Sequence, residues 1–169
     1  MDFLTRLENL PFCVWLHESS SIWAFPMFLF MHTLGMSMIA GVSAVIDIAL
    51  LGFWPKMPVR PLEQLYPLMW GGFWINAITG TVLTIADAST RLINPIFYIK
   101  MIFVFGGVAL LVVIRRNVFR NPELDLAPLS GRAKGLAWAS LACWLGAITA
   151  GRLLAYLGPV SGVGNLTNH

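Results

Sequence analysis

Four long apolar runs separated by short polar breaks set the pattern of this chain. They cover residues 20–52, 64–87, 95–119 and 135–157. A run of ~20 apolar residues is enough to cross a bilayer as a helix. The stretch 19–46 contains no Asp, Glu, Lys or Arg at all. Ahead of these runs, Phe3, Leu4, Leu7 and Leu10 fall at helical spacing among Asp2, Thr5, Arg6, Glu8 and Asn9. That alternation predicts an amphipathic helix over residues 2–17 lying in the membrane interface. The predicted fold is all-α: a single membrane domain, an integral bundle of four transmembrane helices with an N-terminal amphipathic interfacial helix.

Punctuation refines these elements. Pro11 is expected to turn the chain, and Ser19 to Ser21 can cap the first spanning helix. Pro26 falls in the first two turns of that helix and predicts a kink. Residues 88–94 predict a tight turn, and Pro95 suits the first turn of helix three. Small residues recur every four positions as Thr33, Ser37 and Gly41, as Gly72, Asn76, Gly80 and Thr84, and as Ala142, Gly146 and Ala150. Such stripes let a neighbouring helix approach closely. Asp47 is placed at a helix end near the headgroups.

Composition agrees with the pattern. Of 169 residues, 57% are hydrophobic and 11% charged, against about 25% charged in soluble domains. The net charge of +3 does not point to nucleic acid, because the basic residues cluster in short loops. Lys56, Arg60, Arg115, Arg116, Arg120, Arg132 and Lys134 flank one side, and Arg6, Arg91, Lys100 and Arg152 the other. The positive-inside rule then puts the first set in the cytoplasm and both termini outside, in the periplasm of a bacterial inner membrane. Asp2 and Glu8 replace the basic start of a signal peptide, so the mature chain is expected to begin near Met1. Trp15, Trp23, Trp54, Trp70, Trp74 and Trp138 lie where interface anchors are expected. Cys13 and Cys143 belong to no CxxC motif and read as small buried hydrophobes.

The candidate chemistry centres on His32. It lies about 12–18 Å below the outer surface at 1.5 Å per residue. Met36 is one turn further on the same face, and Asn76 reaches a similar depth on helix two. An imidazole at that depth can bind haem b as an axial ligand, or copper together with methionine sulfur. It can also serve as an interhelical hydrogen-bonding group. His17 and His169 are the other histidines. His17 is about 22 Å away along a helix, so a bis-histidine site needs a second subunit. A second, outer cluster gathers Asp87, Lys100, Arg152, Tyr156 and His17, expected either to pair as an ion-pair clamp or to form a polar mouth. No phosphate loop, HExxH or Ser/His/Asp pattern is present, which leaves an electron-transfer component as the nearest thing to an enzyme.

Three segments carry a resemblance: WAFPMFLFMHTLGMSMIAG, MWGGFWINAITGTVLTIADA followed by NPIFYIK, and AGRLLAY. Together they resemble an uncharacterised family of small four-helix bacterial inner-membrane proteins, a domain of unknown function. His32 with Gly35, and Gly151 with Arg152, are distantly similar to CopD-type copper-resistance membrane domains. The resemblance implies the four-helix fold and marks His32, Asn76, Asp87, Lys100 and Arg152. It implies no reaction.

The leading expectation is a b-haem electron-transfer subunit or redox anchor using His32. The alternatives are a cofactor-free accessory subunit and a copper or small-solute transporter. The expected surroundings are a lipid bilayer and a homo-oligomer or partner membrane subunit.

Overall fold

The computed structural model describes residues 11–19, 21, 23–54, 57–121, 124 and 129–156. The amphipathic pattern over residues 2–10 lies outside the described residues. The side chains of His17 and Glu18 do too. The described helices are α1 (Pro11–Glu18), α2 (Phe25–Leu51), α3 (Tyr66–Ala86), α4 (Ala88–Arg91), α5 (Pro95–Ile114) and α6 (Gly131–Tyr156). A 3-10 turn over Arg60–Leu65 leads into α3, and a π-helical turn over Arg115–Phe119 ends α5. No strand occurs among the described residues. Four segments are long and apolar enough to cross a membrane: Phe25–Leu51, Arg60–Ala86, Pro95–Phe119 and Gly131–Tyr156. The chain is an all-α, multi-pass integral membrane protein.

Local chemistry explains the boundaries, and corrects several expectations. Pro11 opens α1, and the residues before it, where a turn was expected, lie outside the described residues. Pro26 sits at the start of α2. A first-turn proline removes no helical hydrogen bond, so it causes no mid-helix kink. The C-terminus of α2 is closed by Gly52 at φ 87°, whose N–H reaches the carbonyls of Ala49 and Ile48. That left-handed conformation favours glycine. The expected turn after α3 holds a complete helical turn, α4. Asn94 caps α5 by accepting from the Ile96 N–H at 2.9 Å. Helix α6 begins at Gly131, four residues earlier than its hydrophobicity suggested.

Broad interfaces join α2 to α3, α2 to α6, and α5 to α6. Helices α2 and α6 therefore form the middle of the bundle, flanked by α3 and α5. The main core gathers Ile46, Leu50, Tyr66, Met69, Leu111, Ile114, Phe119, Ala137 and Trp144 toward the end that carries the basic loops. A smaller cluster of Cys13, Leu16, Ala24 and Ala86 seals α1 against the opposite end. Trp74, Ile78, Ile102, Phe105 and Leu145 point outward from mid-helix positions, which is the surface a lipid solvent requires. The six expected anchor tryptophans are all exposed.

Glycines set the closest approaches. A Cβ on Gly35 would stand 2.7 Å from the Asn76 backbone nitrogen and 2.8 Å from the Gly72 carbonyl oxygen. Helices α2 and α3 thus cross backbone to backbone. On the other side, Gly107 receives the Trp144 indole and Gly146 receives the Phe103 ring. The stripe on α3 is used in this way. The stripe Thr33, Ser37 and Gly41 on α2 is exposed, and faces no other helix among the described residues.

Candidate functional site: the polar crossings of helix α2

The Gly35–Gly72 contact brings His32 against α3. Its Nδ1 lies 3.1 Å from the Asn76 carbonyl oxygen and 3.3 Å from Thr79 Oγ1. A carbonyl can only accept, so Nδ1 carries the proton and donates it. Thr79 gives its own hydroxyl proton to the Ile75 carbonyl at 2.6 Å, which leaves Oγ1 free to share the histidine proton. In return, Asn76 Nδ2 donates to the His32 carbonyl at 2.8 Å. The ring edge rests on Gly80, where a Cβ would stand 2.8 Å from Cε1.

This arrangement fixes one tautomer. Nε2 keeps its lone pair, and no described residue donates to it. The imidazole is half-buried. Histidines that bind metals commonly donate the opposite ring N–H to a carbonyl in this way. Met36 packs against the main core. No group of three or more His, Cys, Asp or Glu gathers among the described residues. A metal at Nε2 would need its remaining ligands from a cofactor or another chain.

Among the described residues, the outer cluster does not pair as one unit. Asp87 Oδ2 accepts from Arg91 Nε at 3.2 Å, one turn along α4. Lys100 lays its stem over Gly151, with Cε 3.7 Å from where a Cβ would be. Arg152 and Tyr156 are exposed. Among the described residues, neither Lys100 nor Arg152 forms an ion pair. Asp87 chose the nearer guanidinium because α4 presents Arg91 at i+4, which costs no long-range ordering. The His17 side chain lies outside the described residues.

A second polar crossing was not anticipated. Asp47, close to the end of α2 as expected, is fully buried against α6. Ser43 Oγ lies 3.3 Å from Asp47 Oδ2 and 3.2 Å from Ser140 Oγ. Trp144 Nε1 donates to Ser43 Oγ at 3.0 Å. Asp47 Oδ1 has no partner, and no basic side chain lies within ion-pairing distance among the described residues. A signal for this cluster was present. Ser43 and Asp47 are four apart on one helix, and Ser140 and Trp144 four apart on another. Trp144 also stands mid-run, away from the interface belts, where an indole N–H needs a partner inside the protein.

Comparison of the chain with protein-family models, with curated proteins and with solved structures returned no match. The resemblances to a domain of unknown function and to CopD-type domains therefore stand on their quoted segments alone. Function has to be argued from the two crossings.

Proposed function

We propose that this integral membrane protein is a redox subunit in which His32 Nε2 is an axial ligand to a b-type haem. The observation that carries the reading is the Nδ1–H donated to the Asn76 carbonyl, which leaves Nε2 unclaimed by any described residue within a membrane span. Haem iron so ligated would pass single electrons between ferric and ferrous states. The chain's own contribution is to hold the imidazole: Asn76 and Thr79 fix its tautomer, and Gly80 leaves room beside the ring. The other axial position would be filled by a second copy of the chain. The exposed Thr33, Ser37 and Gly41 stripe runs along the same helix and offers a close-approach surface for it. The basic loops would face the cytoplasm of a bacterial cell, with both termini in the periplasm.

An absorption spectrum of protein purified in mild detergent tests this reading. A Soret band is expected in the parent and absent from His32→Ala. No band in the parent, or an unchanged band in the variant, contradicts it. Metal analysis of the same sample covers copper at the same nitrogen.

The second reading is a cofactor-free accessory subunit. The reciprocal pair between His32 and Asn76 favours it, because that pair locks α2 to α3 with no ligand present. In that case His32→Ala lowers stability and changes no spectrum.

A further inference from the structure

The widest interfaces of the bundle pair α2 with α3 and α5 with α6. Toward the basic end, side chains tie the two pairs together: Ser43 to Ser140, Trp144 to Ser43, and Tyr66 to the Leu111 carbonyl. Toward the outer end the pairs close less tightly. From Pro95 to Gly106 no residue of α5 is buried on any side, and the first that is buried is Gly107.

Lys100 stands in this open half. It is five residues into α5, about 8 Å from the helix start at 1.5 Å per residue. A snorkelling lysine sends its stem up toward the headgroups. Here the stem crosses to α6, with Cε 3.7 Å and Nζ 4.0 Å from where a Gly151 Cβ would stand. Gly151 is itself five residues, again about 8 Å, from the end of α6 at Tyr156. The ammonium group is therefore kept at its own depth.

His32 lies at a similar level, seven residues or about 10 Å into α2. It is near enough for the charges of Lys100 and Arg91 to act on its ring. Arg91 is already paired with Asp87. Lys100 forms no ion pair and no hydrogen bond among the described residues. A cation inside a span is costly, and one that is kept there commonly serves as the counter-ion of a ligand or marks its path.

We propose that Lys100 is the counter-ion of the cofactor at His32, its Nζ binding a propionate carboxylate of the haem. This rests on the haem reading above and names the group that orients the cofactor. Haem b is apolar apart from its iron and the propionates on one edge. A cation level with the ligand histidine, in the half of the bundle that closes least, sets which way that edge points. The carboxylate also gives Nζ an anionic partner, through a charge-assisted bond about twice as strong as a neutral one.

The test compares haem b with its dimethyl ester, whose propionates carry no charge. The protein in mild detergent is titrated with each, and affinity is read from the Soret band. Lys100→Met is expected to weaken haem binding about tenfold, the low end for losing one bond to a charged group, and to leave ester binding unchanged. Lys100→Arg keeps the charge and should restore most of the haem affinity. Arg152→Gln, exposed at the same end, should match the parent, and His32→Ala should lose the band with both compounds. Without haem, Lys100→Met should unfold at the parent temperature, since Lys100 has no described partner to lose. Unchanged haem affinity in Lys100→Met, or equal losses for haem and ester, would overturn the role of Lys100 and leave the haem reading standing. A parent that shows no Soret band with either compound would overturn both.

Discussion

Helix α2 carries two polar crossings, and they differ in what they leave over. His32 is half-buried and keeps a nitrogen that no described residue claims. Asp47, fifteen residues on, is fully buried and keeps a free oxygen. Along the helix they are about 22 Å apart at 1.5 Å per residue. The first crossing meets α3 where two glycines bring the backbones together. The second meets α6 beside the main core. A group that takes a ligand needs an unclaimed atom and a way to reach it. His32 has both. The Asp47 oxygen is unclaimed but sealed, so Ser43, Ser140 and Trp144 act there as a polar seam that sets how α2 seats on α6. Isolated buried carboxyls are costly, by several kcal/mol per ion after relaxation, and the hydroxyls around Asp47 offset part of that cost.

This contrast can be broken most forcefully at the glycine contact. Gly35→Ala or Gly72→Ala would push a methyl into backbone atoms that cannot yield separately. A loss of about 3 kcal/mol is expected, the upper end for overpacking, read as a fall in unfolding temperature in detergent. Any cofactor at His32 should be lost with it. The seam is the next largest lever. Ser43→Ala leaves the Trp144 N–H without its partner and takes one of the two serine hydroxyls from Asp47, at about 2 kcal/mol. Asp47→Asn keeps a partner for Ser43, so its chemical unfolding curve should match or exceed the parent's. Asn76→Ala is smaller. It removes the side-chain bond to the His32 carbonyl, worth about 1 kcal/mol between membrane helices. It leaves the backbone carbonyl that fixes the imidazole, so a Soret band should survive it. The smallest effect is expected at Ser37→Leu on the open stripe. Its unfolding should shift by no more than about 0.5 kcal/mol, while the dimer fraction in light-scattering chromatography falls.

The four-helix fold was legible because lipid imposes length and apolarity on every span, and both can be counted along the sequence. The α3 stripe was legible for the same reason: glycines at period four announce a close approach, and Gly72 and Gly80 make one. The stripe's partner was not legible. Periodicity shows that a face is small, but not which helix meets it, and Gly35 rather than Thr33 or Ser37 turned out to face α3. The partner of Asp87 was not legible either. Asp87 had several cations in reach by depth, and only the helical turn Ala88–Arg91 shows that the nearest one wins. The burial of Asp47 was not legible because counting residues to the helix end gives depth alone. Whether a side chain faces lipid, headgroups or another helix depends on rotation about the axis. Trp144 and Ser140 on α6 fixed that rotation from outside the segment.

The most direct test of the division of labour is one sample set read twice. Parent, His32→Ala and Ser43→Ala proteins are purified identically, and Soret absorbance per protein and unfolding temperature are measured on each. His32→Ala should lose the Soret band, and its unfolding temperature should fall with the lost ligand and interhelical bond. Ser43→Ala should unfold earlier while keeping the band. A Soret band retained in His32→Ala, or lost equally in both variants, would contradict the assignment of ligand binding to the first crossing and of packing to the second.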